Sequence, residues 1–245
     1  MEVSASVDLA AVLRPVREGN AFEETVERLL TIIKLGLVAP GERFPPEREL
    51  AVKLGISRLT LREAISELNQ AGYVESRRGR LGGTFITYTR PAPSVTDLRR
   101  LAQEDGGKLT DALTFRFAVE TGAADMLAQQ LASGGADSQR EALLARLADV
   151  NGAGLADYRR LDTLFHLSIA ELTGSSLLST ACADARMRLN DLLNAIPVLK
   201  LNIAHTAAQH AEIVAAIMAG DSERARIAVA EHLAGTGALL RGFLA

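Results

Sequence analysis

From Pro93 onward, apolar residues recur at helical spacing with only short interruptions, and this long helical tract most limits the possible fold. Helices separated by such short connections pack antiparallel against their neighbours. Aromatic residues make up only 4% of the chain and Trp is absent, which disfavours a β-sandwich. We therefore predict an all-α antiparallel bundle of five or six helices. Its predicted breaks are Gly134-Gly135, Gly152–Gly154, Gly174-Ser175, Pro197 and Gly220-Asp221.

Two prolines, Pro91 and Pro93, separate this tract from the residues before it. Proline disfavours helix in the preceding residue, so the stretch from Thr89 to Ser94 is predicted to be a connector. A chain of 245 residues is long enough for two domains of ordinary size. The predicted division is an N-terminal extension (1–20), a first domain (21–90), a linker (91–105) and a helical domain (106–245).

The first domain is predicted to contain three short helices followed by a β-hairpin. Its second helix is expected to end in a left-handed cap at Gly55, and Ser57 is a favourable N-cap for the third. Residues 73–76 and 84–88 are rich in β-branched and aromatic side chains and flank a turn of glycine and arginine, which indicates a hairpin. Two helices joined by a tight turn form a helix-turn-helix, whose second helix enters the DNA major groove.

The predicted recognition helix carries Arg58 and Arg62 four residues apart, and therefore on one face. A guanidinium group there can donate two hydrogen bonds to a guanine edge, and Ser57 at the N-cap can reach a phosphate. The basic excess is small, with 11 Lys and Arg against 9 Asp and Glu in residues 21–90, so the pattern rather than the net charge carries the prediction. The alternative is that Arg48 and Arg62 are surface charges paired with neighbouring glutamates.

Three segments in this order resemble the winged-helix domain of GntR-family transcription regulators: Phe44–Ala51, Gly55–Ala64 and Gly82–Ile86. The resemblance extends over about residues 25 to 88. It departs from the family at Leu59, where a polar residue such as threonine is common. The DNA contacts that it implies are Arg48 from the preceding helix, Ser57, Arg58 and Arg62 from the recognition helix, and a close approach at Gly83 in the wing.

Three of the four histidines follow a pattern that also includes an aspartate. Asp162 and His166 are four residues apart and project from one face of one helix. His210 and His232 lie at nearly equal distances from the turn at Gly220-Asp221, so two antiparallel helices would bring them to the same height. His205 would point about 140° away from His210 and is left out of the predicted site.

One carboxylate and three neutral imidazoles are ligands typical of a first-row divalent cation. Zinc is the first choice, with nickel, manganese and iron as alternatives. A lone histidine on an apolar helix is more often a hydrogen-bonded core residue, but three histidines with an aspartate one turn away favour a metal site.

Residues 106 to 242 resemble the all-helical FCD effector domain of the FadR branch of the same family. Many members bind a metal with this order of ligands, Asp-x3-His, then His, then His. The resemblance therefore implies a metal site at Asp162, His166, His210 and His232. Arg116 and Glu120 match the Arg-x3-Glu pattern of the domain's opening helix. Arg116 is thus a candidate clamp for an effector carboxylate, with an i,i+4 salt bridge to Glu120 as the alternative.

The predicted function is a ligand-responsive transcription regulator and not an enzyme. A homodimer would bind palindromic operator DNA, and a small carboxylate effector would bind through the metal. The family resemblance favours a repressor. Two alternatives use the same cluster: a metal-dependent hydrolase or lyase with Glu171 or Glu212 as its base, although no HExxH motif is present, and a direct metal sensor.

We expect a cytoplasmic protein with no membrane partner. The single cysteine, Cys182, cannot form an internal disulfide, which fits a reducing compartment. Acidic Glu2 and Asp8 stand where a signal peptide would carry cationic residues. No apolar run approaches the roughly 18 residues that a membrane helix needs.

Overall fold

The computed structural model describes residues 21–79, 82–89, 106–193, 196 and 200–244. Contacts within the chain divide it into two compact units, residues 1–91 and 92–245. The predicted N-terminal extension (1–20), the predicted linker (91–105) and the predicted break at Pro197 lie outside the described residues.

The first unit has the predicted helix-turn-helix and hairpin. The strands pair antiparallel, with Val74 opposite Ile86 and Arg77 opposite Gly83. Tyr73 and Tyr88 stack beyond the paired residues with their ring centroids 4.9 Å apart. The elements are α1 (Ala21–Leu35), α2 (Glu47–Leu54), α3 (Arg58–Gln70), β1 (Val74–Arg77) and β2 (Gly83–Ile86).

Two local signals set the turn between α2 and α3. Gly55 follows α2 with φ 66°, in the left-handed region that glycine adopts without strain. Ser57 caps α3, because its side-chain oxygen accepts a hydrogen bond from the Thr60 backbone N–H at 3.0 Å. Leu54 and Leu61 are fully buried on either side of the turn. The predicted left-handed cap and N-cap are both confirmed.

The second unit is a helical bundle, as predicted. In the part of the chain that the structure describes it has six helices, and the predicted breaks within that part fall between helices. The helices are α4 (Gly106–Ala132), α5 (Asp137–Asn151), α6 (Tyr158–Leu172), α7 (Ser176–Leu193), α8 (Lys200–Met218) and α9 (Ser222–Leu244).

Helix α4 is central to this bundle, because it packs against α6, α7, α8 and α9. Leu127 of this helix is completely buried, as are Phe165 and Ile213 on the helices packed against it. The same interior also contains the side chains of Arg116 and Arg186, at 1% and 0% exposure. Burying a charge is costly unless it is paired and hydrogen-bonded, so these arginines point to a polar site inside the bundle.

Candidate functional site

The structure brings the four predicted ligands together inside the bundle. Helix α6 supplies Asp162 and His166, α8 supplies His210 and α9 supplies His232. One potential ligand atom from each side chain lies within 4.8 Å of those of all the others. His205, left out of the predicted site, is exposed on α8. The group could hold a metal ion.

A tight turn between α8 and α9 aligns two of these ligands. Gly220 adopts φ 71°, and a Cβ atom there would lie only 2.7 Å from the Cβ of Ala132 at the end of α4. A larger residue would therefore be both strained and crowded. The turn places the rings of His210 and His232 with their centroids 4.8 Å apart.

Side chains outside the cluster approach two of the imidazoles and orient them. Nδ1 of His166 lies 2.8 Å from Oε2 of Glu120, and Nδ1 of His232 lies 3.1 Å from Oε1 of Gln209. When Nδ1 donates to such an acceptor, Nε2 is left with its lone pair, as in the carboxylate–histidine–metal triads of metalloproteins. Nε2 of His166 and both ring nitrogens of His210 are buried without a hydrogen-bond partner among the described residues. Buried polar atoms normally have a partner, and a bound cation would supply one to these nitrogens.

The two carboxylate oxygens of Asp162 have different neighbours. Oδ2 accepts a hydrogen bond from Nη1 of Arg186 at 3.0 Å. Oδ1 lies 3.4 Å from Nε2 of His210 and 3.8 Å from Nε2 of His166. One oxygen is thus held by the arginine, and the other is directed at the imidazoles.

Arg186 on α7 is a residue of this site that the sequence analysis missed. Its Nε donates to Oε1 of Glu120 at 3.1 Å, and the same oxygen accepts from Nε of Arg116 at 2.9 Å. Glu120 therefore contacts two arginines and His166. The signal that could have revealed Arg186 is its place on the buried face of α7, one turn from the buried Cys182 and Leu189.

Burial and nearby charges set the protonation of the cluster. Burial alone would raise the pKa of Asp162 and that of Glu120, but neighbouring arginines hold both pKa values well below the ordinary range. Burial lowers the pKa of His210 to about 3, and it lowers the pKa of His166 and His232 as well. Ionised carboxylates and neutral imidazoles are the forms that bind metals.

A cavity of about 60 Å³ opens beside the cluster. At roughly 10–15 Å³ per water molecule it has room for a few waters or a small organic acid. Asp162 and His232 contribute to its wall, and Arg116 and Arg159 are its cationic residues. Arg116 forms the alternative salt bridge to Glu120 through Nε, while its buried Nη1 has no hydrogen-bond partner among the described residues.

Of the two glutamates considered as a base for a hydrolase, Glu212 is not directed at this cluster. Glu212 lies on the exposed side of α8, where its Oε1 accepts a hydrogen bond from Nε of Arg224 at 2.7 Å. It cannot take a proton from a molecule bound between the histidines.

The predicted DNA-contacting residues lie on the surface of the first unit. Arg48, Ser57, Arg58 and Arg62 are all exposed. Among the described residues, Arg58 has no ion pair. Arg62 has the pairing considered as the alternative, because its Nε donates to Oε2 of Glu47 at 2.8 Å. Leu59, beside Arg58, is 67% exposed.

Gly83 is required by a contact within the first unit. It adopts φ 147°, and a Cβ atom there would overlap the side chain of Arg43. Nη1 of Arg43 also donates to the carbonyl of Gly82 at 3.0 Å. Gly83 is therefore closely approached by Arg43 of the same unit, and the predicted approach of Gly83 to DNA stays a prediction. The adjacent wing residue Arg77 pairs with Glu75 and lies over the ring of Phe85.

A helix-turn-helix with exposed arginines and a separate helical unit with a buried polar cluster define a DNA-binding regulatory protein. Residues 22–86 match the bacterial regulatory proteins of the gntR family, and residues 111–235 match the FCD domain. The chain belongs to the gntR family, in the group with a C-terminal FCD domain. Members are transcriptional regulators and not enzymes, so the hydrolase or lyase alternative is not supported.

Two relatives match most of the chain. The chain is 31% identical over 243 residues to a putative HTH-type transcriptional regulator, RmpR, of Mycobacterium gastri, covering 91% of this chain and 81% of that protein. It is also 31% identical over 230 residues to a putative L-lactate dehydrogenase operon regulatory protein of Escherichia coli K12, covering 86% and 83%.

A solved structure shares the fold. Escherichia coli McbR/YncC matches with a TM-score of 0.53 at 18% identity, covering 91% of this chain and 97% of that one. Within the described residues, no helix combines the length and the apolar character needed to span a bilayer.

Proposed function

We propose that this transcriptional regulator binds a divalent metal ion and a small carboxylate effector in its helical unit, and that the effector modulates operator binding. One observation carries the proposal: the ligand atoms of Asp162, His166, His210 and His232 converge beside a cavity, and Nε2 of His166 and both ring nitrogens of His210 lack hydrogen-bond partners among the described residues. A buried polar group without a partner is costly, so an occupant is expected.

The residues present fit such an ion. Oδ1 of Asp162 and the Nε2 atoms of the three histidines are its proposed ligands, with Glu120 and Gln209 orienting two of the rings. An ion with these ligands would be a Lewis acid with coordination positions open to a carboxylate or to water. Zinc is the proposed ion, with nickel, manganese and iron as alternatives.

The cavity wall supports the effector assignment. Arg116 contributes to the cavity wall, and its buried Nη1 has no hydrogen-bond partner among the described residues. Nη1 can therefore donate to an anionic ligand while Nε keeps its bond to Glu120. The small volume limits the effector to a short acid. Arg116 is therefore proposed as an effector-binding residue.

The proposed DNA interface consists of exposed residues near the start of α3 and on α2. Arg58 and Arg62 are assigned to base edges, and Ser57 and Arg48 to the phosphate backbone. Gly83 is assigned to the close approach of the wing. One recognition helix reads few base pairs, so we assign a homodimer that binds a palindromic operator in the cytoplasm.

The proposed mechanism is a population shift. The effector would stabilise one arrangement of the two DNA-binding domains over another, by binding that arrangement more tightly. Release from the operator on effector binding would make the protein a repressor.

A fluorescence anisotropy titration tests the effector part. Operator selected from random duplexes is titrated with metal-loaded protein at rising concentrations of L-lactate, succinate or citrate. At least one acid should shift the apparent Kd. A Kd that responds to none of them would contradict the carboxylate effector, and a Kd that follows zinc concentration alone would identify a direct metal sensor.

Elemental analysis tests the metal part. His210→Ala should lower the amount of metal bound per chain, and His205→Ala is the matched control because it lies on the same helix but is exposed. Equal metal content in the two variants would remove His210 from the site.

A further inference from the structure

The buried charges around the proposed metal position balance one another before any ion is bound. Arg116 and Arg186 are cationic, and Glu120 and Asp162 are anionic. Three of these side chains are at most 4% exposed, and that of Asp162 is 15% exposed. The histidines bind a metal only as neutral imidazoles. A divalent ion would therefore leave this part of the bundle with two uncompensated positive charges.

The cavity wall does not supply the missing negative charge. Asp162, already counted, is the only acidic side chain among the described residues that line the cavity, and Arg159 adds a further cation. Nη2 of Arg159 donates to the carbonyl of Ile196, which holds its guanidinium near the wall. Net charge in a poorly solvated site is costly, so the compensation must come from a molecule in the cavity.

We propose that the effector is a dianion, a short dicarboxylate that neutralises the two excess charges around the metal position, whereas the half-buried Arg159 is left to solvent. This inference rests on the metal and carboxylate assignment of the proposed function and specifies its ligand. One carboxylate is assigned to the metal position between Asp162 and His232, and the other to the unpartnered Nη1 of Arg116. A cavity that holds a few water molecules suits a chain of about four carbons.

Isothermal titration calorimetry with three probes of one length tests the charge of the ligand. Succinate carries two carboxylates, succinamate replaces one of them by a neutral amide of similar shape, and butyrate has only one carboxylate. The zinc-loaded full-length protein should bind succinate about 30-fold more tightly than succinamate, the factor expected for one charge about 8 Å from another at an effective dielectric constant of about 20. Affinities within threefold would overturn the proposal, since a monoanion would then suffice.

A charge variant tests the same idea independently. Arg116→Gln removes one buried cation, so the preference for succinate over succinamate should fall about tenfold. Arg226→Gln is the matched control, because Arg226 is exposed on α9 and pairs with Glu223. An unchanged preference in Arg116→Gln would remove Arg116 from the second carboxylate. If that variant does not fold, as judged by circular dichroism, the three-probe comparison on the unaltered protein decides.

Failure of the dianion and failure of the proposed function give different results. Absence of bound metal by elemental analysis contradicts the metal site itself. Bound metal with equal binding of succinate and butyrate contradicts only the dianion. Bound metal with no heat from any of the probes contradicts both the dicarboxylate and the short-acid effector.

Discussion

The helical unit and the winged-helix unit hold their charged residues in opposite ways. Inside the bundle, Arg186 is fully buried and hydrogen-bonded to two carboxylates. On the recognition helix, Arg58 is exposed without an ion pair among the described residues, and Arg62 is 61% exposed in a single pair. In a buried network the stability of the protein depends on every charged side chain. An exposed charged side chain can instead change its partner, from water to a protein group or to a phosphate, at little cost in free energy. Substitutions in the two units should therefore affect different measurements.

The largest effect is expected from Arg186→Met. The change leaves the buried carboxylates of Glu120 and Asp162 without their shared partner, which typically costs about 3–5 kcal/mol of stability. Thermal melting followed by circular dichroism should show a much lower melting temperature for the helical unit. Arg226→Met, which removes an exposed pair with Glu223, should leave the melting curve unchanged. Equal melting of the two variants would contradict the contrast between the units.

Acid should destabilise the metal-free helical unit well above the range where carboxylates titrate. Burial lowers the pKa of His210 to about 3, and it also lowers the pKa of His166 and His232. The unfolded chain therefore binds more protons than the folded chain below pH ~6.5. Above that pH these histidines do not reduce the free energy of unfolding. Below it, the free energy of unfolding decreases on acidification by up to about 1.4 kcal/mol per pH unit for each such histidine.

Urea unfolding at a series of pH values measures this effect. Saturating zinc should move the acid limb to lower pH, because the metal binds only the neutral imidazoles. The exposed His205 provides the control, and His205→Gln should leave the profile unchanged. A stability that is constant from pH 7 to pH 5 would show that the three rings are not buried as neutral groups.

Arg58→Ala should weaken operator binding by about 1–3 kcal/mol and relax the preference at one base pair, without changing the melting temperature. Arg58→Lys is the informative companion, since it keeps the charge but loses the two-pronged hydrogen bond. Binding-site selection with both variants checks the assignment. If lysine restores full base preference, Arg58 contacts phosphate and not a base.

The smallest effect is expected from Glu47→Gln. The ion pair between Glu47 and Arg62 is solvent-exposed, so its loss should change stability by less than about 1 kcal/mol. Because Arg62 no longer has to leave a carboxylate, operator binding should tighten by a few-fold. A weaker complex would instead show that Glu47 positions Arg62 for its contact.

The fold could be predicted from the sequence because its signals are local. Gly55 and Ser57 each set the geometry of their own turn, and both predictions are confirmed. The nearly equal distances of His210 and His232 from their turn are also a local property, since a helix converts residue number directly into height. For these features no knowledge of distant contacts is needed.

The side chains that hold the predicted ligands in place could not be predicted in the same way. Arg186 lies 66 residues from Glu120 and 24 from Asp162, on a helix whose spacing carries no metal-binding pattern. Its partners are set by how α7 packs on α4 and α6, which is a tertiary property. The pairing of Arg62 with Glu47 was foreseen only as an alternative, because exposed ion pairs are too weak for spacing alone to decide them.

The turn at Gly220 constrains the number of residues between the turn and His232. One residue inserted into α9 between Asp221 and His232 would rotate the imidazole by about 100° and carry it away from the other three ligands. Surface connections usually tolerate insertions. Here the number of residues between His210 and His232 is fixed, because an insertion near the start of α9 would separate the ligands at the centre of the bundle.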